Sequence, residues 1–299
     1  MTALAPQHDR GNGSLGARSN RSHRFGEISF HALLLLCTGV GLIVLAILLV
    51  TVSRRGAPQL SVDFLDRFPS RRPAQAGVKA ALFGSIWLIG LTLAISVPVS
   101  VGAAIYLEEI APRNWFTRVI EVNIANLAGV PSIIYGILAL GVVARGLGLG
   151  FSLWTGAIAL SLLSFPVIVI AARESIRAVP SSIRQGAFAL GATRWQTIRR
   201  AVLPSSMGGI VTGCILAMSR ALGEAAPLLL LGALVFSASV PNDPSDRYTA
   251  LPLQIFNWIN RPQSGFQINA AAGIMVLLGI LLTVNAVAIV LRGRGRRTW

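Results

Sequence analysis

AALFGSIWLIGLTLAISVPVSVGAAIYL, residues 80–107, fills the interval from Lys79 to Glu108 with 28 uncharged positions. A helix needs about 20 mostly apolar residues to cross a hydrocarbon core of roughly 30 Å. This stretch is long enough, and it decides the fold. Four more intervals between successive charged residues are of the same kind. Glu27 to Arg54 encloses 26 uncharged residues, Glu121 to Arg145 encloses 23, Arg145 to Arg173 encloses 27 and Arg261 to Arg292 encloses 30. A sixth, residues 201–242, is interrupted only by Arg220 and Glu224. Lipid offers no partners to backbone N–H and C=O groups, so spans must be helices or a closed barrel. The intervals lack the ~10-residue alternation of barrel strands. The prediction is an all-α polytopic membrane protein with six transmembrane helices near 30–53, 81–106, 122–144, 152–172, 205–236 and 268–291.

Composition excludes other classes. Of 299 residues, 54% are hydrophobic and 12% charged, about half the charge of a soluble domain. The net charge of +15 comes from 26 Lys+Arg against 11 Asp+Glu. Its distribution argues for topology rather than for nucleic-acid binding: with both termini inside, sixteen of the basic residues fall on inner segments and nine on outer ones. The positive-inside rule favours that orientation, although Arg54, Arg55, Arg67, Arg71 and Arg72 crowd the first outer loop. Residues 1–29 read as a flexible basic cytoplasmic tail without a cleavable signal pattern, and residues 292–299 as a basic cytoplasmic C-terminus. Residues 30–77 hold the first span, an uncleaved anchor, and its outer loop.

No catalytic chemistry is legible. The only lysine, Lys79, is followed by Ala80 and Ala81, so no phosphate-cradling P-loop exists. His8, His23 and His31 have no acidic or cysteine partners at metal-ligand spacing, and Cys37 and Cys214 lie inside apolar spans as packing residues. No cofactor and no metal is expected, and the energy for any active transport must come from a partner or an ion gradient.

RESIRAVPSSIRQGAFALGATRWQTIRRAVLP, residues 173–204, is the longest inner loop. Val179-Pro180 favours a break, because the residue before proline is pushed out of helical geometry. Ser182 and Gln185 have capping-box spacing for a short helix with Ile183, Ala187 and Leu190 on one face. Gly191 suits the left-handed residue that ends it, and Thr193 can cap a second short helix. Periodicity alone leaves two readings open: an interfacial helix on anionic lipid, or a helix that docks into a cytosolic partner.

This loop resembles the cytoplasmic EAA loop of binding-protein-dependent ABC importer permeases, whose fold is the six-helix, MetI-like type I arrangement. Gln185, Gly186 and Ala187 stand at the Glu-Ala-Ala positions, Gly191 at the glycine, and Ala201, Leu203 and Pro204 at the closing Ile, Leu and Pro. The pattern departs at Gln185, Gly186 and Ala201. The resemblance implies a coupling helix held by a cytosolic ATPase subunit. NIANLAGVPSIIYG (123–136), SRALGEAAPLLLLG (219–232), LPLQIFNWINRP (251–262) and YLEE (106–109) extend it over residues 78–291, the implied permease domain, and resemble phosphate permeases of the PstA type. The implied partners are a homologous PstC-type permease, a PstB-type ATPase dimer, a PstS-type phosphate-binding protein and inorganic phosphate, with the lipid bilayer of a bacterial inner membrane as solvent.

Arg220 and Glu224, four apart, are expected on one helix face, where they can pair. Counted from Ser206, Arg220 lies about 20 Å along its helix at 1.5 Å per residue, well inside hydrocarbon depth. A charge there costs at least ~3 kcal/mol, so the pair must face a cavity or the bundle interior. Guanidinium presents a donor fork matched to tetrahedral oxyanions, and a carboxylate can accept a hydrogen bond from a protonated one. The resemblance places both residues on the substrate pathway. A helix-pinning ion pair is the structural alternative. Pro227 is expected to kink this span, and Asn123, Asn126, Ser132 and Tyr135 are weaker pathway candidates. A permease for sulfate, molybdate or phosphonate is the close rival, and an ion-coupled secondary transporter is the rival from another class.

Overall fold

The computed structural model describes residues 19–231, 237 and 239–295. They form helices α1 (Ser19–Gly56), α2 (Val62–Asp66), α3 (Lys79–Ile105), α4 (Trp115–Ala128), α5 (Ser132–Leu138) and α6 (Leu153–Arg177). After the inner loop come α7 (Ser181–Ala189), α8 (Arg194–Thr197), α9 (Leu203–Gly223), α10 (Ala226–Leu230), α11 (Leu251–Ile259) and α12 (Ser264–Gly295). Among the described residues there is no strand. Five helices are long and apolar enough to cross a membrane, or six if the bent pair α4–α5 counts as one. The all-α class therefore holds, and the six expected spans are reached with that pair taken as one.

The chain divides into two units, residues 1–51 and 52–299. In the first, α1 already begins at Ser19, so part of the segment expected to be a flexible tail is helical; residues 20–29 contain no proline to stop it. Residues 1–18, with the rest of that tail, lie outside the described residues, as do 296–299 of the expected C-terminal segment.

The second unit is organised by α6. Two-thirds of its most apolar window (67%) is buried, against 6% for α12, which marks α6 as the central helix. Gly156, Ala157, Ala159, Ser161, Ser164 and Ala172 are all buried along it. Small residues let membrane helices approach closely, and dispersion then replaces the hydrophobic force that lipid cannot supply. Gly213 of α9 shows how close: a Cβ there would stand 2.3 Å from the Ala171 side chain. Ser161 Oγ on α6 donates to the Thr92 carbonyl of α3 at 3.3 Å, so polar groups join this interface too.

The 122–144 span is not one helix. α4 and α5 meet at 107° across Gly129, Val130 and Pro131. Pro131 has no N–H to continue the ladder and pushes Val130 out of helical geometry. The Leu127 carbonyl at the break accepts two hydrogen bonds, from the Val130 N–H at 3.1 Å and from the Tyr135 hydroxyl at 2.7 Å, so α5 is tied back to the end of α4. The 205–236 span is broken as well. α9 ends at Gly223, Glu224 is extended (φ −81°, ψ 111°), and α10 starts at Ala226. Residues 232–236 lie outside the described residues.

At the opposite end from the α7–α8 loop, LPLQIFNWI, expected within an outer loop, forms α11 instead. Its buried Leu251 and Trp258 pack with Phe64, Ala81 and Phe266, while Leu253 joins the cluster of Leu88, Leu153 and Tyr248. The Leu251 N–H donates to Ser85 Oγ of α3 at 2.8 Å.

Candidate functional site

Two regions bring the sequence-predicted residues together. The first is the inner loop. α7 is entered through Pro180, whose ring fixes the backbone, and no side chain caps it. The Ser182–Gln185 capping box therefore does not form: the helix starts before Ser182, which becomes an interior residue. The capping box lies instead at α8, where the Gln196 N–H donates to Thr193 Oγ1 at 3.3 Å and the Thr193 N–H donates to Gln196 Oε1 at 2.9 Å. Gly191 has φ +80°, the left-handed conformation expected between the two helices. Gln185 and Gly186 are exposed and Ala187 half-buried, while Leu203 and Pro204 open α9. Phe188, Leu190 and Trp195 are exposed beside them, with Leu190 at 91%. A hollow of about 290 Å³ lined by Ala187, Leu190, Gly191, Gln196 and Arg200 separates α7 from α8.

Ionic struts tie this loop to the bundle. Glu108 and Glu109 lie on a π-helical turn, Tyr106–Ile110, that continues α3. Arg184 of α7 donates from Nε and Nη2 to Glu109 Oε1, at 3.0 and 2.6 Å. It also donates to the carbonyls of Val179 and Ile176, at 2.6 and 2.9 Å, closing the C-terminus of α6. Arg194 of α8 donates to the Glu109 carbonyl. Arg173 of α6 reaches Glu121 of α4 at 2.6 Å and Glu108 at 3.4 Å, and Arg177 holds Glu108. Sequence reasoning missed these pairs. Their signal was two consecutive acids closing an apolar run on the side that also carries the arginine-rich loop.

The second region surrounds the break between α9 and α10. Arg220 Nε stands 3.6 Å from Glu224 Oε1, with the two side chains 47% and 21% exposed. The expected pair forms, but not along one continuous helix: Glu224 sits on the extended segment, so its carboxylate folds back toward the last turn of α9. Pro227 occupies the first turn of α10 rather than kinking a continuous span, because a proline inside the first turn loses no helix bond. α5 packs on α10 where a Cβ on Gly136 would stand 2.7 Å from Pro227 Cα. Tyr135, buried next to Gly136, is thereby placed beside the break. Ser132 opens α5 half-buried. Asn123 and Asn126 are exposed on α4, and the Asn123 amide donates to its own helix at the Val119 carbonyl, 2.8 Å away. Among the described residues neither asparagine hydrogen-bonds to Arg220 or Glu224. Ser219, next to Arg220, donates to Asn285 Oδ1 of α12 at 2.8 Å. Asn285 was not singled out, although it is a lone amide in the apolar run 270–291.

A broken-helix bundle with a charged pair at a break, and an exposed two-helix loop braced to it, describes a membrane permease. The chain belongs to the family of binding-protein-dependent transport system inner membrane components, whose profile matches residues 96–295. Within that family it is a permease subunit of an ABC importer. It is 31% identical over 249 residues to the phosphate transport system permease protein PstA of Yersinia pestis, covering 83% of each chain. It is 34% identical over 217 residues to PstA 1 of Mycobacterium tuberculosis, covering 72% of this chain and 70% of that one. Its fold is similar to a chain of a bacterial alginate ABC transporter solved in complex with an alginate-bound periplasmic protein. The TM-score is 0.64 at 16% identity, over 89% of this chain and 94% of that one.

Proposed function

We propose that this chain is the PstA-type subunit of an inorganic phosphate importer in a bacterial inner membrane, with both termini cytoplasmic and residues 78–291 as the permease domain. The Arg220–Glu224 pair at the α9–α10 break carries the reading. A guanidinium 47% open at the end of a membrane-depth helix is tolerable only where water or an anion reaches it. Phosphate near neutral pH retains a proton that Glu224 can accept in a hydrogen bond, while Arg220 offers its donor fork to the other oxygens. Relatives named for phosphate transport support the same substrate.

In this reading a PstC-type permease supplies the other half of the pathway and a PstS-type protein delivers phosphate. A PstB-type ATPase dimer grips the α7–α8 loop, with Gln185, Gly186, Ala187 and Gly191 at the contact and Leu203 and Pro204 passing the motion into α9. Closure of the ATPases on ATP pulls the two coupling loops together and opens the pathway outward; hydrolysis resets it. α9 links the loop to Arg220 directly, and the non-helical step at Glu224 lets α10 turn relative to α9.

The test is labelled-phosphate uptake in cells whose other phosphate importers are deleted, with excess sulfate and molybdate as competitors. Uptake that requires this chain, resists both competitors and disappears in Arg220→Gln while the complex still assembles is the expected result. Loss of assembly in Arg220→Gln would make the pair a structural pin. An assembled complex without phosphate uptake would move the substrate to another oxyanion.

A further inference from the structure

Arg113 and Arg118 flank the start of α4, exposed, and among the described residues neither pairs with a carboxylate. Both open on a hollow of about 620 Å³ between the end of α3 and α4. The acids in that hollow, Glu108 and Glu121, are already engaged by Arg173 and Arg177. Four guanidiniums therefore face two neutralised carboxylates, and Arg173 Nε is buried without a hydrogen-bond partner. The hollow is suited to an anion.

A second hollow of about 320 Å³ begins where the first ends. The two share Trp115 and Arg118, and the second continues along Val119, Val122 and Asn123 on the outer flank of α4. Both valines are exposed, as is Trp115, whose ring stands edge-on to Phe116 at 6.1 Å. Tryptophan at the end of a span marks the headgroup level of a bilayer. A basic hollow at that level, opening into an apolar one that runs toward the hydrocarbon, has the shape and chemistry of a phospholipid. Basic pockets between membrane helices hold lipid headgroups by the same electrostatics.

We propose that Arg113, Arg118 and Trp115 form a binding site for an anionic phospholipid. The two arginines hold its phosphate in the α3–α4 hollow, and an acyl chain lies along Val119 and Val122. The site does not depend on which anion is transported. It sits beside the Glu108–Arg177 pair and therefore beside the struts that brace the inner loop. Inorganic phosphate shares the headgroup's anion chemistry but has nothing to place in the apolar hollow.

The test uses the full chain in mild detergent, with retained lipid read by native mass spectrometry after addition of phosphatidylglycerol or phosphatidylcholine. Phosphatidylglycerol should be retained in preference. Each basic residue near an anionic group is worth a factor of about five, so Arg113→Gln with Arg118→Gln should cut retention about twenty-five-fold. Arg71→Gln with Arg72→Gln, an equal charge loss elsewhere, should leave it unchanged. Arg113→Lys with Arg118→Lys should retain most of it, which separates charge from folding. Val122→Trp, which fills the apolar hollow, should weaken it with both arginines present. The proposal is overturned if the double Gln variant keeps the lipid, if the Arg71/Arg72 control loses it equally, or if millimolar inorganic phosphate displaces it.

Discussion

Arg177 binds Glu108 through two parallel hydrogen bonds, Nε to Oε1 and Nη2 to Oε2, each 3.0 Å long. The fork joins the end of α3 to the last turn of α6, and Arg173 adds a third contact to the same carboxylate. The two partners differ in exposure, with Arg177 at 53% and Glu108 at 14%. A pair of this kind fails unequally, because the cost falls on whichever charge is left dry.

Glu108→Gln should therefore destabilise the chain more than Arg177→Gln. Losing the carboxylate leaves the mostly buried Arg173 with Glu121 alone, a cost of about 2–3 kcal/mol after allowing for partial exposure. Losing the half-exposed guanidinium should cost about 1 kcal/mol, since Arg173 still reaches Glu108. Thermal unfolding of the two variants in detergent gives the order directly. Equal losses would show that the exposed arm carries as much as the buried one.

Two glycines of the inner loop should respond to alanine with opposite signs. Gly191 has φ +80°, where a Cβ meets the carbonyl oxygen, so Gly191→Ala should cost about 1–2 kcal/mol in loop stability. Gly186 lies inside α7 with nothing within 4 Å of a Cβ, so Gly186→Ala should stabilise that helix by up to ~1 kcal/mol. Limited proteolysis across residues 184–200 reads both. Faster cleavage of Gly191→Ala and slower cleavage of Gly186→Ala is the expected pattern.

Much of this loop was legible because its signals are local. The break at Val179-Pro180, the left-handed Gly191 and the Thr193 cap depend on neighbouring residues alone. The Ser182–Gln185 box was a false lead of the same local kind, overruled by Pro180 two residues upstream. The spans were legible because charge-free length is a property of the chain itself. Their interruptions were not: Gly129-Val130-Pro131 and Gly223-Glu224 have composition compatible with a kinked helix or with two helices. The outcome rests on contacts far along the chain, such as Gly136 against Pro227. The Arg184–Glu109 strut, 75 residues apart, was hidden for the same reason.

That Gly136–Pro227 contact sets up a second comparison. A Cβ at Gly136 would stand 2.7–2.8 Å from the Pro227 backbone, which has no side chain to move aside. Gly136→Ala should push α5 off α10, cost about 1–3 kcal/mol as overpacking does, and impair uptake. Gly141, five residues on and also helical, has open space at its Cβ position, so Gly141→Ala should cost no stability and leave uptake unchanged. Uptake corrected for membrane level separates the two. A silent Gly136→Ala would mean that the α5–α10 contact yields easily.

The loop before α11 should loosen in acid, and one carboxylate sets where. Asp246 Oδ2 accepts the N–H groups of Asn242 and Asp243 at 2.9 and 3.0 Å, and these bonds hold its pKa below the usual carboxylate value. The same turn caps α6: the Leu153 and Trp154 N–H groups donate to the carbonyls of Asp246 and Pro244, both at 3.1 Å. A carboxyl whose folded pKa is depressed contributes stability that is fully present above its unfolded value, near 3.9, and is lost as pH falls through the folded one. Hydrogen exchange at Asn242, Asp243, Leu153 and Trp154 should then be slow at neutral pH. Once corrected for the intrinsic rate, protection should fall only below about pH 4. Asp246→Asn keeps an acceptor but not its charge, so it should show weaker protection throughout and no acid transition. A transition that survives in Asp246→Asn would assign the acid sensitivity to another group.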